Sequence, residues 1–168
     1  MNLSDGDWIA VQVHCGREQD VGGGLEIRGY EQFVPTRGWA PPYSRRSRVQ
    51  CLFPGYVFCR YLHHAPHRIV SVPGVIRLVG VHGAPLSIPS VEIDSIRTLV
   101  NSGICTEPWR FLSAGEEVIV VRGSLCGARG ILVRTANGGR LVVSITMLRR
   151  SVGVEVAARD VMPANRLL

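Results

Sequence analysis

The sequence contains no lysine. All 19 basic residues among its 168 are arginine, and with 13 acidic residues they give a formal net charge of +6. An arginine-only set is typical of a genome that favours arginine codons. It also suits phosphate groups, because a guanidinium makes paired hydrogen bonds to their oxygens. Soluble domains often carry a net charge of this size, so the charge alone does not indicate a nucleic-acid partner.

Long apolar runs are also missing. No stretch approaches the roughly 20 residues that a membrane span needs, so the sequence predicts no membrane segment. The start, MNLSDGDW, has neither a basic nor an apolar segment and predicts no secretion signal. The five cysteines are an odd number without a C-x-x-C pair, which argues against a disulfide framework and a zinc site. We therefore expect reduced thiols and a cytoplasmic protein.

Catalytic signatures are absent from the sequence as well. No set of serine, histidine and acid stands out, and the pair His14–Cys15 falls at the end of a predicted strand, where neighbouring side chains face opposite ways. His63, His64 and His67 lie close together, but no acid or cysteine flanks them, whereas a metal site needs three or four ligands. We expect no enzyme activity, no metal site and no cofactor.

The residue pattern changes between the two halves of the chain. The first half shows strand patterns at 8–13, 31–35, 48–61 and 75–79 and helix patterns at 17–28 and 90–103. Strands mixed with helices in this way predict an α+β domain, with helices packed on an antiparallel sheet. The second half alternates five short β-branched strands with glycine turns, which predicts a small β-barrel. The predicted domains are 5–102 and 115–168, joined by a linker at 103–114.

Three consecutive glycines, Gly22 to Gly24, interrupt the first predicted helix. They have neither the spacing of a dinucleotide-binding loop nor the Lys-Ser/Thr of a phosphate loop, so they predict no such site. Three interior glycines weaken a helix by roughly 3 kcal/mol relative to alanine. On a helix, Gly24 lies in line with Arg17 and Arg28 and would let another backbone approach between them. The alternative is a frayed, mobile segment.

Residues 36–48 join two predicted strands and contain no acid. The segment holds four arginines, Arg37, Arg45, Arg46 and Arg48. As an exposed loop it suits single-stranded or forked DNA, because arginines pair with phosphates and the rings of Trp39 and Tyr43 stack on bases. The alternative is a solvated loop stiffened by its prolines.

Four segments, taken in order, resemble the NusG family of transcription elongation factors. They are WIAVQVHCGREQDV, LFPGYVF, VPGVIRLV and the Gly-x-Leu-x-Gly-x-x-Gly turn at Gly123, Leu125, Gly127 and Gly130. The resemblance runs from about Trp8 to Met162. It implies an N-terminal NGN domain and a C-terminal KOW domain, a small SH3-like β-barrel, in a monomeric protein.

The resemblance implies that the first domain grips the clamp helices of the largest RNA polymerase subunit. By position in the motifs, the implied contacts are Phe53, Pro54, Tyr56 and Phe58, with Trp8, Val11, Leu78 and Val81 as further candidates. The Pro-Gly pair would interrupt the strand so that aromatic rings line a concave surface. For each ring, the alternative is an ordinary place in the core.

Nucleic-acid contacts are also implied. In the family, one side of the NGN domain faces the upstream edge of the transcription bubble, and some paralogs read the non-template strand with the first helix. The matching residues here are His14, Arg17 and Arg28, although glycines stand where a sequence-reading paralog has polar residues. In the second domain, several arginines in or beside the turns could form one basic surface that suits a nascent RNA hairpin, with Arg149 and Arg150 as the chosen contacts. These arginines are Arg122, Arg129, Arg134, Arg140, Arg149 and Arg150. An acidic protein partner is the alternative, and the KOW domain also implies a ribosomal protein.

Two blocks, PGVIRLV with the downstream IPSVEIDSI and LVVSITMLRRSVGVEV, most resemble specialised paralogs of the UpxY, LoaP and RfaH kind. Those paralogs act on selected operons, such as polysaccharide clusters. The resemblance therefore implies a factor that rides on RNA polymerase and promotes processive antitermination of selected operons. A general NusG-type elongation and termination factor is one alternative, and a ribosome- or RNA-binding KOW protein is another.

Overall fold

The computed structural model describes residues 3–39, 48–62, 65–82, 84–109, 111–112, 115–135 and 138–167. The chain forms two compact units. The first consists of Met1–Thr36 with Phe53–Ser90, and the second of Arg37–Leu52 with Val91–Leu168. Residues 37–52 and 91–102, which the sequence assigned to the first domain, thus group with the second unit. The domain bounds given from the sequence stay a prediction.

The described residues contain three α-helices, three short 3-10 helices and fourteen strands. The helices are α1 (Glu18–Ile27), α2 (Pro66–Val70) and α3 (Ser90–Asn101). The strands up to α3 are β1 (Trp8–Val13), β2 (Gln32–Phe33), β3 (Thr36–Trp39), β4 (Arg48–Cys51), β5 (Tyr56–Arg60), β6 (Val75–Leu78), β7 (Gly80–Val81) and β8 (Ala84–Pro85). The later strands are β9 (Thr106–Trp109), β10 (Glu116–Val120), β11 (Arg129–Thr135), β12 (Gly138–Ile145), β13 (Arg150–Val156) and β14 (Val161–Pro163).

The first unit contains an antiparallel sheet with the strand order β2-β5-β1-β6. Its central strand β1 reads WIAVQV, and the five apolar side chains are all buried. On one face, Ile9, Val11 and Val57 pack with Val21 and Leu25 of α1 into a single apolar cluster. Two more members of this cluster, Ile69 and Val72, lie in and just after α2. The predicted α+β architecture is confirmed.

Helix α1 forms despite its three glycines because two of them serve close packing. A Cβ at Gly22 would lie 2.9 Å from a methyl group of Val34, and one at Gly24 would lie 2.8 Å from a methyl group of Val72. Gly23 faces open space, with no atom within 4 Å of its Cβ position. The space beside the glycines is therefore filled by valines of the same unit, and not by a second backbone as the sequence suggested.

The second unit contains a six-stranded antiparallel sheet with the order β14-β10-β11-β12-β13-β9. Five of these strands, β10 to β14, lie within the second domain predicted at 115–168. The sixth, β9, lies inside the predicted linker and pairs with β13, with Thr106 opposite Val154. It carries Pro108, which an edge strand tolerates because its outer side needs no donor. The strand was not predicted, because it contains a proline and its polar and apolar residues do not alternate.

The glycine turn between β10 and β11 has the tight conformation that its residues predict. Gly123 and Gly127 have φ values of +80° and +90°, which favour glycine. The N–H of Gly127 donates to the carbonyl of Val120 at 2.9 Å and closes the turn. A Cβ at Gly130 would collide with the carbonyl of Val142 on the neighbouring strand, so this glycine permits close approach of the backbones.

Helix α3 also contacts the sheet of the second unit. The Ser95 hydroxyl accepts a hydrogen bond of 3.0 Å from the N–H of Arg129. The Glu92 carboxylate accepts bonds from the N–H (3.2 Å) and the hydroxyl (2.7 Å) of Thr146. Burial raises the pKa of Glu92, and these two hydrogen bonds oppose the rise. No helix among the described residues is long and apolar enough to cross a membrane.

Candidate functional site

Strand β5 begins with a tight turn at the Pro-Gly pair. The N–H of Tyr56 donates to the carbonyl of Phe53 at 3.1 Å, and Gly55 has a φ of +83°. Proline at the second position and a positive φ at the third are the features of a type II turn. The break in the apolar run thus has a local cause, since a type II turn favours proline at its second position and glycine at its third.

Beneath the turn lies a cluster of aromatic rings. Phe53 meets Phe58 edge-on, with ring centroids 5.5 Å apart and an interplanar angle of 81°. The ring centroid of Phe33 lies 6.5 Å from that of Phe58. Phe53 and Phe58 are 1% and 0% exposed. Trp8 is also fully buried, and the guanidinium of Arg60 lies 4.7 Å from its ring.

The predicted polymerase contacts divide between the two faces of the sheet. Directly paired residues of antiparallel strands share a face, and β1 pairs Gln12 with Tyr56 and Ala10 with Phe58. Trp8 is on this face by alternation. Val11 pairs with Leu78 on the opposite face, where Val11 belongs to the core beneath α1 and Leu78 packs against it. The eight candidates therefore do not form one surface.

Four of the candidates are accessible. Pro54 and Val81 are exposed, and Tyr56 and Leu78 are half-buried, whereas Trp8, Val11, Phe53 and Phe58 are at most 1% exposed. In this conformation the four buried side chains support the surface from below and are not accessible to a partner. Their predicted contact with polymerase stays a prediction.

Two residues beside Tyr56 were missed in the sequence. Gln12 pairs with Tyr56 on one side and with Arg77 on the other, and the Arg77 side chain donates to Gln12 Oε1 at 2.8 Å. Gln12 is half-buried and Arg77 is exposed. We call Gln12, Pro54, Tyr56 and Arg77 the turn face. The signal that could have revealed it is the lone polar residue in each of the apolar strands WIAVQV and VIRL.

The predicted DNA-binding residues of the first unit surround the start and end of α1. His14 and Arg17 are exposed, and Arg17 is paired with Asp20 at 3.1 Å. Arg28 is half-buried and donates to the carbonyl of Gly24 at 2.9 Å. These guanidinium groups already have protein partners, so a phosphate would have to compete with them.

The arginines of the predicted basic loop have different surroundings. Arg37 donates to Gln50 Oε1 at 2.8 and 2.9 Å and to the carbonyl of Thr106 at 3.0 Å. It thereby ties β3 to β4 and β9. Arg48 begins β4, and Arg45 and Arg46 lie outside the described residues.

Arginines gather at one end of the sheet in the second unit. Strand pairing puts the start of β11 beside the end of β12, and Ile145 pairs with Arg150 at that same end. Four exposed arginines lie there, Arg122, Arg129, Arg149 and Arg150. Arg149 has a φ of +50°, and its guanidinium lies 5.4 Å from the ring of Phe111. Four of the six predicted arginines, including Arg149 and Arg150, therefore make up a basic end, which we define by these four. Arg140 instead pairs with Glu107 and Glu155.

No group of three or more metal-binding side chains occurs within the described ranges. His67 is exposed on α2, and His63 and His64 lie outside the description. Cys59 is buried, and burial raises the pKa of its thiol to about 12, so it stays a protonated core residue.

Comparison with known families identifies the chain. A model of the family described as Transcription termination factor nusG matches residues 6–97, which is more than half of the chain. The chain belongs to the NusG family. The matched region includes the whole turn face, and the family is one of transcription factors and not of enzymes. This protein is accordingly a NusG-type transcription factor.

Individual relatives are similar to this chain over nearly its whole length, beyond the region that the family model matches. The transcription termination/antitermination protein NusG of Helicobacter pylori is 26% identical, over 89% of this chain and 94% of that protein. The protein of the same name from Campylobacter jejuni is also 26% identical, over 92% of this chain and 95% of its own length. A solved structure, "Domain interaction in Thermotoga maritima NusG", covers 94% of this chain with a TM-score of 0.54 at 23% identity. This structural likeness supports the NusG fold.

Proposed function

We propose that this NusG-family protein binds the clamp helices of RNA polymerase through its turn face and stays bound during elongation in the cytoplasm. The observation that carries the proposal is the type II turn at Pro54–Gly55, which presents Pro54 and the half-buried ring of Tyr56 beside Gln12 and Arg77. A partly exposed aromatic ring on a rigid turn is a typical binding hot spot. Leu78 and Val81 would extend the contact.

The proposed role is processive antitermination of selected operons, such as biosynthetic clusters, by a chain with no catalytic activity of its own. Its support is the similarity of two sequence blocks, PGVIRLV and LVVSITMLRRSVGVEV, to the specialised paralogs of the family. In this proposal the basic end of the second unit binds a nascent RNA hairpin, and the residues around α1 approach the non-template strand. A ribosomal protein is the remaining candidate partner of the KOW unit.

A general elongation and termination factor is the second candidate function. It is favoured by the curated relatives, which are named transcription termination/antitermination protein NusG and match over 94–95% of their length. The two functions differ in where the protein is found on the chromosome.

Chromatin immunoprecipitation of the tagged protein tests both. An operon-selective factor should co-localise with polymerase on one or a few transcription units, and transcripts downstream of their terminators should fall when its gene is deleted. Occupancy on all actively transcribed genes would establish the general factor instead. If the protein does not co-localise with polymerase anywhere, the proposed binding itself is wrong.

A further inference from the structure

Glu18 is a buried carboxylate that belongs to none of the predicted sites. It is the first residue of α1 and is 4% exposed. Its Oε1 accepts a hydrogen bond of 2.7 Å from the N–H of Gly55. A buried charge is costly unless it has partners, and packing alone would be better served by an apolar side chain. The first turn of a helix is also where the helix dipole favours a negative charge.

The N–H that Glu18 binds is the one that distinguishes two turn types. A type I and a type II turn share the bond from the fourth residue to the first, and they differ in the orientation of the central peptide. Here the central peptide joins Pro54 to Gly55, and its N–H points at Glu18. The carboxylate therefore favours the type II orientation, in which Gly55 has its observed φ of +83°.

The carbonyl group of Gly55 is also bound, and a further side chain packs beside this residue. The Gly55 carbonyl accepts a hydrogen bond of 2.9 Å from the N–H of Val13, at the end of β1. Cys15 lies close by, with its Sγ 3.4 Å from where a Cβ of Gly55 would be. Both polar groups of Gly55 are thus bound by the segment that leads from β1 into α1.

We infer that Glu18 is a positioning residue for polymerase binding, which holds the Pro54–Gly55 peptide so that Pro54 and Tyr56 are presented to the partner. This inference rests on the proposed function. The hydrogen bond from Gly55 to Glu18 also links the turn face to α1, which the predicted DNA-binding residues Arg17 and Arg28 flank.

The first test uses the free protein. In amide NMR spectra, Glu18→Ala should move the Gly55 proton resonance upfield and remove its protection from hydrogen exchange, while the amides of β1 keep theirs. Glu18→Gln retains an acceptor oxygen, so it should show an intermediate shift. Glu26→Ala removes the same charge from an exposed position of α1 and should leave Gly55 unchanged. An unchanged Gly55 amide in Glu18→Ala would overturn the inference.

The second test measures affinity for core RNA polymerase. Glu18→Ala should weaken binding about tenfold, the ratio expected for loss of one hydrogen bond to a charged group, and Glu18→Gln should recover part of it. If Glu18→Ala does not fold, Glu18→Gln carries the test, with a smaller loss expected than for Tyr56→Ala. Equal affinities for all Glu18 and Glu26 variants would refute the positioning role alone. Failure of the unaltered protein to bind would refute the proposed function.

Discussion

Phe53 and Tyr56 are three residues apart, and the turn gives them opposite surroundings. Phe53 is 1% exposed and stacks edge-on against Phe58, whereas Tyr56 is half-buried at the start of β5. In the sequence both rings belong to one motif and were predicted to contact polymerase together. The structure places the ring of Phe53 in the core and leaves the ring of Tyr56 partly accessible.

Alanine substitutions should therefore act differently at the two positions. Phe53→Ala should lower the free energy of unfolding by about 3–5 kcal/mol, because it leaves a cavity in the aromatic cluster. Tyr56→Ala should change stability by about 1 kcal/mol or less but weaken polymerase binding about thirtyfold, as loss of a hot-spot ring does. Chemical denaturation and co-purification with core polymerase measure the two effects. An unfolded Tyr56→Ala protein would place this ring among the core residues, and a folded one that binds normally would exclude it from the polymerase contact.

At the scale of single elements, the adjacent glycines Gly23 and Gly24 of helix α1 should respond differently to substitution by alanine. Gly23→Ala should raise the free energy of unfolding of the first unit by about 0.5–1 kcal/mol, because the position is helical and its Cβ would meet no atom within 4 Å. Gly24→Ala gains the same helix propensity but forces a methyl group against Val72. It should therefore be less stable than Gly23→Ala and at best equal to the unaltered protein. Equal stabilisation by both substitutions would mean that the helix does not pack as described.

Helix α3 should make the stability of the second unit depend on pH through Glu92. Because burial raises the pKa of this carboxyl above its ordinary value of 4.5, the folded state holds the proton more tightly than the unfolded chain. Stability should then fall as the pH rises from about 4.5 through the raised pKa. Glu92→Gln keeps an oxygen for Thr146 and has no proton to lose, so it should remove this fall. Denaturation curves of both proteins between pH 4 and 8 provide the comparison. Glu117 and Arg129 are the other charged residues that line the cleft beside Glu92.

The elements that the sequence predicted well are those whose own residues determine them. Strand β1 has the predicted bounds of Trp8–Val13, and α3 follows the apolar spacing of Ile93, Ile96 and Leu99. Strand β9 and helix α2 were missed, because a proline-containing strand is defined by its pairing with β13 and a five-residue helix has too few turns for a periodicity.

The composition of the candidate site was only partly predictable. The sequence indicated Pro54 and Tyr56 through the motif, and the turn type follows from the Pro-Gly order. The faces of Val11 and Leu78, and the position of Arg77 beside Gln12, depend on the register between β1 and β6, which is shifted by an irregularity between Gln12 and Val13. Nothing within one strand encodes that register.

For the whole molecule, we propose that the first unit binds polymerase and the second unit binds RNA. Binding of the full chain to hairpins from its own operon leader should weaken with salt, with a log–log slope of about −3 if all four arginines of the basic end take part. At a fixed salt concentration, Arg150→Glu should lower the affinity for these hairpins. Arg68→Glu makes an equal charge change on α2 in the first unit and should leave the affinity unchanged. Equal effects of the two substitutions would indicate attraction by net charge and not a site.

Site-specific photo-cross-linking in transcribing complexes tests the central claim, that the turn face contacts polymerase, most directly. A photoreactive phenylalanine analogue at position 56 should form adducts with the clamp helices of the largest polymerase subunit, identified by mass spectrometry. The same group at position 122, in the exposed glycine turn of the second unit, should not react with those helices. Adducts on the clamp helices from position 122 but none from position 56 would contradict the assignment of the turn face as the polymerase-binding surface.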